Sequence, residues 1–89
     1  MTARRFRPAE PVEVTAQRRS GDPLALRWRG RAERVAWLDA PWEVVAEWWL
    51  DGPEATRRRY YRLLTRRGLL CVVYRDLGSG RWFLEEILD

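Results

Sequence analysis

The sequence predicts a mainly β domain, a small antiparallel sheet curled into a half-barrel. Residues 58–88 hold three short apolar-rich runs separated by glycine-bearing turns, and residues 11–38 repeatedly alternate apolar with polar side chains at a strand's period of two. With 89 residues there is material for a single modest core, so the strands must share it.

Taken in order, residues 1–10 carry Arg4, Arg5, Arg7 and Pro8 with little periodicity, and read as a flexible basic arm before one β-rich domain over 11–89. From Pro11, Val12, Val14 and Ala16 point one way while Glu13 and Thr15 point the other, a half-buried strand. Gly21, Asp22 and Pro23 make a turn. Leu24, Leu26 and Trp28 then share one face and Arg27 and Arg29 the other, until Gly30 supplies a tight connection to a strand through Val35 and Trp37.

Residues 39–50 fit two elements. Asp39 as a cap, Pro41 in the first turn, and Trp42, Val45, Ala46 and Trp49 on one face describe a short helix. The paired Val and paired Trp residues equally describe a strand. The spacing favours the helix, so the class is β or α+β according to this one segment. The runs 58–65, 69–75 and 81–88 form a C-terminal three-stranded meander, joined at Arg66-Arg67-Gly68 and at Asp76 to Gly80.

Six Trp residues are many for this length, and the core is expected to use most of them. All 17 basic residues are Arg and the net charge is +4, unevenly spread. Residues 1–34 sum to +5, residues 35–54 to −5 with five acids and no Arg, and residues 55–89 to +4. No apolar run is long enough for a membrane-spanning helix, and Pro8 and Glu10 stand where a secretory signal needs an apolar stretch. With a single cysteine, Cys71, set in an apolar run, the expected location is the cytoplasm.

The chain contains no His and no Lys. This removes the imidazole bases, the His and Cys-rich metal sites, the Schiff-base lysine and the phosphate-loop lysine. Glu85 and Glu86 are adjacent and point apart on a strand, while Glu43 and Glu47 fit a solvated acidic face. A carboxylate-only hydrolase is the one enzymatic alternative. The chain is otherwise read as a non-enzyme without cofactor or metal.

Two features favour binding. The run 57–67, RRRYYRLLTRR, holds six Arg and no acid. If the sheet packs through Tyr61 and Leu63, then Arg58, Tyr60 and Arg62 form an exposed basic and aromatic stripe suited to phosphates and a stacked base, extended by Arg27, Arg29 and Arg31. The opposing explanation is a solvated strand face paired with the acidic middle segment. In the pair Trp48-Trp49, one ring fills the core and the other covers its edge or anchors a partner.

Trp48-Trp49, Arg59-Tyr60-Tyr61-Arg62, Gly68, Tyr74-Arg75-Asp76 and Gly80-Arg81-Trp82-Phe83-Leu84, in that order, resemble a small bacterial domain of unknown function. That domain occurs alone and as the C-terminal tail of ImuB-type proteins, inactive relatives of Y-family translesion polymerases. The tail likeness spans roughly residues 42–89, and the stand-alone members share the stretch 28–31; the ending Glu-Glu-Ile-Leu-Asp differs from the shorter ending of the polymerase-relative tail. The resemblance implies an accessory role beside error-prone DNA synthesis through protein contacts. The expectation is therefore a non-enzymatic module docking on a repair or mutagenesis protein, with a sequence-nonspecific single-stranded nucleic-acid binder as the alternative.

Overall fold

The computed structural model describes residues 3–47 and 55–88. Among these residues there are seven strands: β1 (Ala3–Ala16), β2 (Pro23–Trp28), β3 (Arg31–Leu38), β4 (Trp42–Glu47), β5 (Ala55–Thr65), β6 (Leu70–Asp76) and β7 (Trp82–Leu88). They form one antiparallel sheet in the order β3-β2-β1-β7-β6-β5-β4, and β3 also pairs with β5. That last pairing turns the expected half-barrel into a closed six-stranded barrel, with β4 as an extra strand.

Closure follows from the length of β5. Its residues 63–65 pair with Val35 to Leu38 of β3, and its residues 55–60 pair with Trp42 to Glu47 of β4, along the same edge. Strands β3 and β4 are in effect one strand broken at Asp39-Ala40-Pro41. Between the pairs Leu38↔Leu63 and Trp42↔Tyr60, three residues face two, which is the count of a β-bulge. Asp39 still donates its N–H to the Arg62 carbonyl at 2.9 Å; Pro41 has no N–H to donate.

Residues 42–47 are therefore strand, not helix. The spacing of Trp42, Val45 and Ala46 fits a helical face, but pairing with the long β5 satisfies the same backbone groups and overrides it. Residues 3–10 are not a free arm either. Ala3 to Arg5 pair with Leu88 to Glu86, and pairing resumes at Glu10↔Leu84 after a break that spans Pro8, the proline that made the segment look unstructured.

The β2–β3 hairpin closes through Arg29 (φ 50°) and Gly30 (φ 78°), both left-handed, as a two-residue turn matched to the twist of its strands requires. The C-terminal meander is as expected, with Gly68 and Gly80 at positive φ in its turns.

The barrel interior is filled by Val12, Leu26, Tyr61, Leu63, Cys71, Val73, Trp82, Leu84 and Ile87. Tyr61 and Trp82 lie with ring centroids 5.4 Å apart. One polar contact is built into this interior at the β3–β5 seam. The Thr65 hydroxyl donates to Glu33 Oε1 at 3.0 Å and accepts the Leu69 N–H at 3.0 Å. Burial, then the nearby Glu33, pushes the Cys71 thiol up to about 12, so it stays a neutral hydrophobe.

The tryptophans depart from expectation. Trp82 is buried and Trp28 half-buried, but Trp37 and Trp42 are exposed; Trp48 and Trp49 lie outside the described residues. The core takes its bulk from Tyr61 and aliphatic residues instead.

Trp82→Ala should destabilise the domain by about 3–5 kcal/mol, as large aromatic truncations in packed interiors do. Chemical denaturation of both proteins measures it, and a loss below about 1 kcal/mol would mean the ring is not packed as described.

Candidate docking surface

The outer face of the barrel carries a row of rings made by strand register. Trp42 stands opposite Tyr60, Tyr60 opposite Tyr74, and Tyr74 opposite Phe83, across four adjacent strands. Trp42 and Tyr60 stack at 5.4 Å and 11°, Tyr60 and Tyr74 are 5.1 Å apart, and Tyr74 and Phe83 stack at 5.2 Å and 24°. Ala9, Val72 and Leu88 pack on the row, making a small second core outside the barrel. Burial pushes the Tyr74 phenol up against the pull of Arg58, whose guanidinium lies 4.6 Å over its ring.

The Arg58, Tyr60 and Arg62 stripe thus faces outward, with Tyr61 and Leu63 inside, but it is not open. Tyr60 is only 8% exposed, clamped between Trp42 and Tyr74, so neither ring face is available to a base. Arg58 is laid over Tyr74 and its Nε is buried without a hydrogen-bond partner. Arg62 is exposed and donates to Asp39 Oδ2 at 2.7 Å. The ring that remains accessible is Trp42, 42% exposed at the free end of the row.

Arg27, Arg29 and Arg31 do not extend this stripe. Arg27 and Arg29 line a shallow groove of about 600 Å³ with Arg81, Trp82 and Pro11 to Val14, whereas Arg31 borders another hollow with Glu33 and Arg67. Arg29 is already engaged. It donates to Glu10 Oε1 at 2.7 Å and stacks 4.7 Å over Trp28, whose Nε1 donates to Glu10 Oε2 at 2.7 Å. These contacts brace the left-handed turn residue.

The signal missed in the sequence is apolar. Large exposed hydrophobic residues gather on β3 and β4: Trp37 (47%), Trp42, Val44 (39%) and Val45 (58%). Trp37 also flanks a hollow with Leu24, Val35 and Leu38. Between Trp37 and Trp42 lies the Asp39–Arg62 ion pair, so the patch has a charged centre. Trp48 and Trp49 lie outside the described residues and their sequence-based roles are untouched by this geometry. Among the described residues no group of three or more Cys, Asp or Glu side chains is placed to hold a metal ion.

The hydrogen bonds from Arg29 and Trp28 hold the Glu10 carboxyl below its ordinary value of 4.5. A lowered carboxylate contributes stability that is present above the ordinary value and is lost as pH falls through the lowered one. Glu10→Gln should melt at lower temperature than the natural chain near neutrality. The two melting curves should converge below pH 4.5, and a gap that persists unchanged into acid would contradict the assignment.

No curated protein and no solved structure matches the chain. A family model does, over residues 1–89, and the chain accordingly belongs to the family described as Domain of unknown function (DUF6504).

Proposed function

We propose that this domain is a non-enzymatic docking module whose β3–β4 surface seats a protein partner in DNA repair or error-prone DNA synthesis. The concentration of exposed Trp37, Trp42 and Val44 on two consecutive strands, with exposed Val45 on the reverse face of β4, carries the reading. Leaving such area in water is unfavourable, and tryptophan within an apolar patch rimmed by charge is the usual anchor of a protein interface. Here the Asp39–Arg62 pair sets charge within the patch, and Glu43 and Arg57 pair on the reverse face of β4. The repair context rests on the likeness of Trp48-Trp49 and of the 59–84 motifs to the tails of inactive polymerase relatives. The non-enzymatic part is supported by a chain without His or Lys, in which the one thiol is buried and neutral.

Placing a photoreactive benzoylphenylalanine at Val45 and irradiating cells should trap a discrete protein of the DNA-synthesis or repair machinery. The same probe at exposed Thr15, on β1, should not. Adducts solely to nucleic acid, or equal trapping from both positions, would overturn the reading.

One observation favours nucleic acid as a second reading: Arg27, Arg29 and Arg81 converge on one groove in which, among the described residues, Glu13 is the only acid. If Arg27 and Arg81 contact phosphates, binding of a single-stranded oligonucleotide should weaken steeply with salt. The Arg27→Ala, Arg81→Ala double variant should then lower the log–log slope by about 1.4, two contacts' worth. Identical shallow slopes for both proteins would remove nucleic acid from consideration at this groove.

A further inference from the structure

We propose that β4 is a receiving edge, and that the partner enters it as an added strand whose side chains alternate apolar with arginine. This rests on the docking reading and specifies its mode. Strand β4 pairs with β5 on one side, and among the described residues no strand pairs with its other side. Beyond the β2 pairing, which covers Arg31 to Arg34, the same edge of β3 borders a hollow lined by Asp22, Pro23 and Leu24. The open edge is thus that of β4, 42–47, with half of its backbone donors and acceptors turned toward solvent.

The two faces of β4 dictate the side chains of its visitor. Trp42 and Val44 lie on the outer face, continuing the aromatic row, since Trp42 stacks on Tyr60. Glu43 and Val45 lie on the other. Strand β5 already shows the matching chemistry from its side. Opposite Glu43 and Val45 it places Arg59 and Arg57, with the Arg57 guanidinium 3.6 Å from the Glu43 carboxylate. An added strand with apolar residues beside Trp42 and Val44, and an arginine beside Glu43, repeats that arrangement on the open side.

A second copy of this chain fits poorly. Its β4 (WEVVAE) holds two acids and no basic residue, so β4 laid against β4 brings no arginine to Glu43. The segment 35–47 contains three acids and no Arg, so charge complementarity selects a basic visitor. Strand addition takes affinity from the backbone and specificity from alternate side chains, which is what this edge offers.

The test uses the isotopically labelled full chain with a short peptide of alternating arginine and valine, and a glutamate and valine peptide as its counterpart. The arginine peptide should bind about tenfold tighter, the worth of a few cross-strand charge pairs. Amide exchange should slow at alternate β4 residues while the amides of Leu63, Val73 and Leu84 stay as they were, which serves as the control for folding. Glu43→Arg should shift the preference toward the glutamate peptide, and N-methylating alternate residues of the arginine peptide should abolish binding. Equal binding of both peptides, or binding without protected β4 amides, overturns strand addition. Trapping of a protein at Val45 with no β4 protection by the peptide leaves docking standing and removes the added strand; absence of both removes the two together.

Discussion

Everything in this domain hangs on one strand serving two neighbours along a single edge. β5 is 11 residues long, and it gives its C-terminal end to β3 and its N-terminal end to β4. The first pairing closes the barrel and buries Tyr61 and Leu63. The second carries backbone beyond the barrel and creates the edge that the proposed partner uses. The Glu33–Thr65–Leu69 contact sits where closure happens. A buried carboxylate is costly unless satisfied, so this contact favours the registers of β3 and β5 that bring Glu33 to Thr65. Arg67 lies 3.6 Å from the second carboxylate oxygen and limits the cost of burying it.

A small barrel has little interior to draw on, and this one also uses its exterior. Trp42, Tyr60, Tyr74 and Phe83 bury one another on the outside, with Arg58 and Arg81 spread over Tyr74 and Phe83. Such cross-strand ring pairs stabilise a sheet without adding to its core. The row also explains the fate of the arginine-rich run. Arg58 and Arg62 were legible as an outward face, but they are drawn down onto the Tyr74 ring and the Asp39 carboxylate of their own chain.

Much of the architecture is readable from period and turn chemistry. The meander and the Arg29-Gly30 hairpin follow from alternation interrupted by glycine, because both depend on contacts close in sequence. What failed depends on distant ones. Residues 42–47 carry spacing compatible with helix or strand, and only the presence of Arg57 to Tyr60 alongside decides between them. Residues 3–10 look unpatterned because their pairing with β7 is broken around Pro8, yet β7 at the other end of the chain holds them. For the site, the period of β5 correctly turns Tyr60 outward. It cannot show that Trp42, Tyr74 and Phe83 arrive at the same level, because that is a matter of register among four strands. Nor can alternation identify an open edge, since it is blind to which neighbours are present.

The bulge at Ala40-Pro41 has a further consequence for how the domain comes apart. Above it, β3 is held by β2 and β5 and by a filled interior; below it, among the described residues, β4 is held by β5 alone, with exposed side chains on both faces. Free energy of opening is therefore graded along one covalent strand. The β4 segment belongs to the low-stability end, where fraying costs little and leaves the barrel intact, while the β3 segment opens only when the whole barrel does. Breathing is thereby confined to the part of the molecule that faces outward.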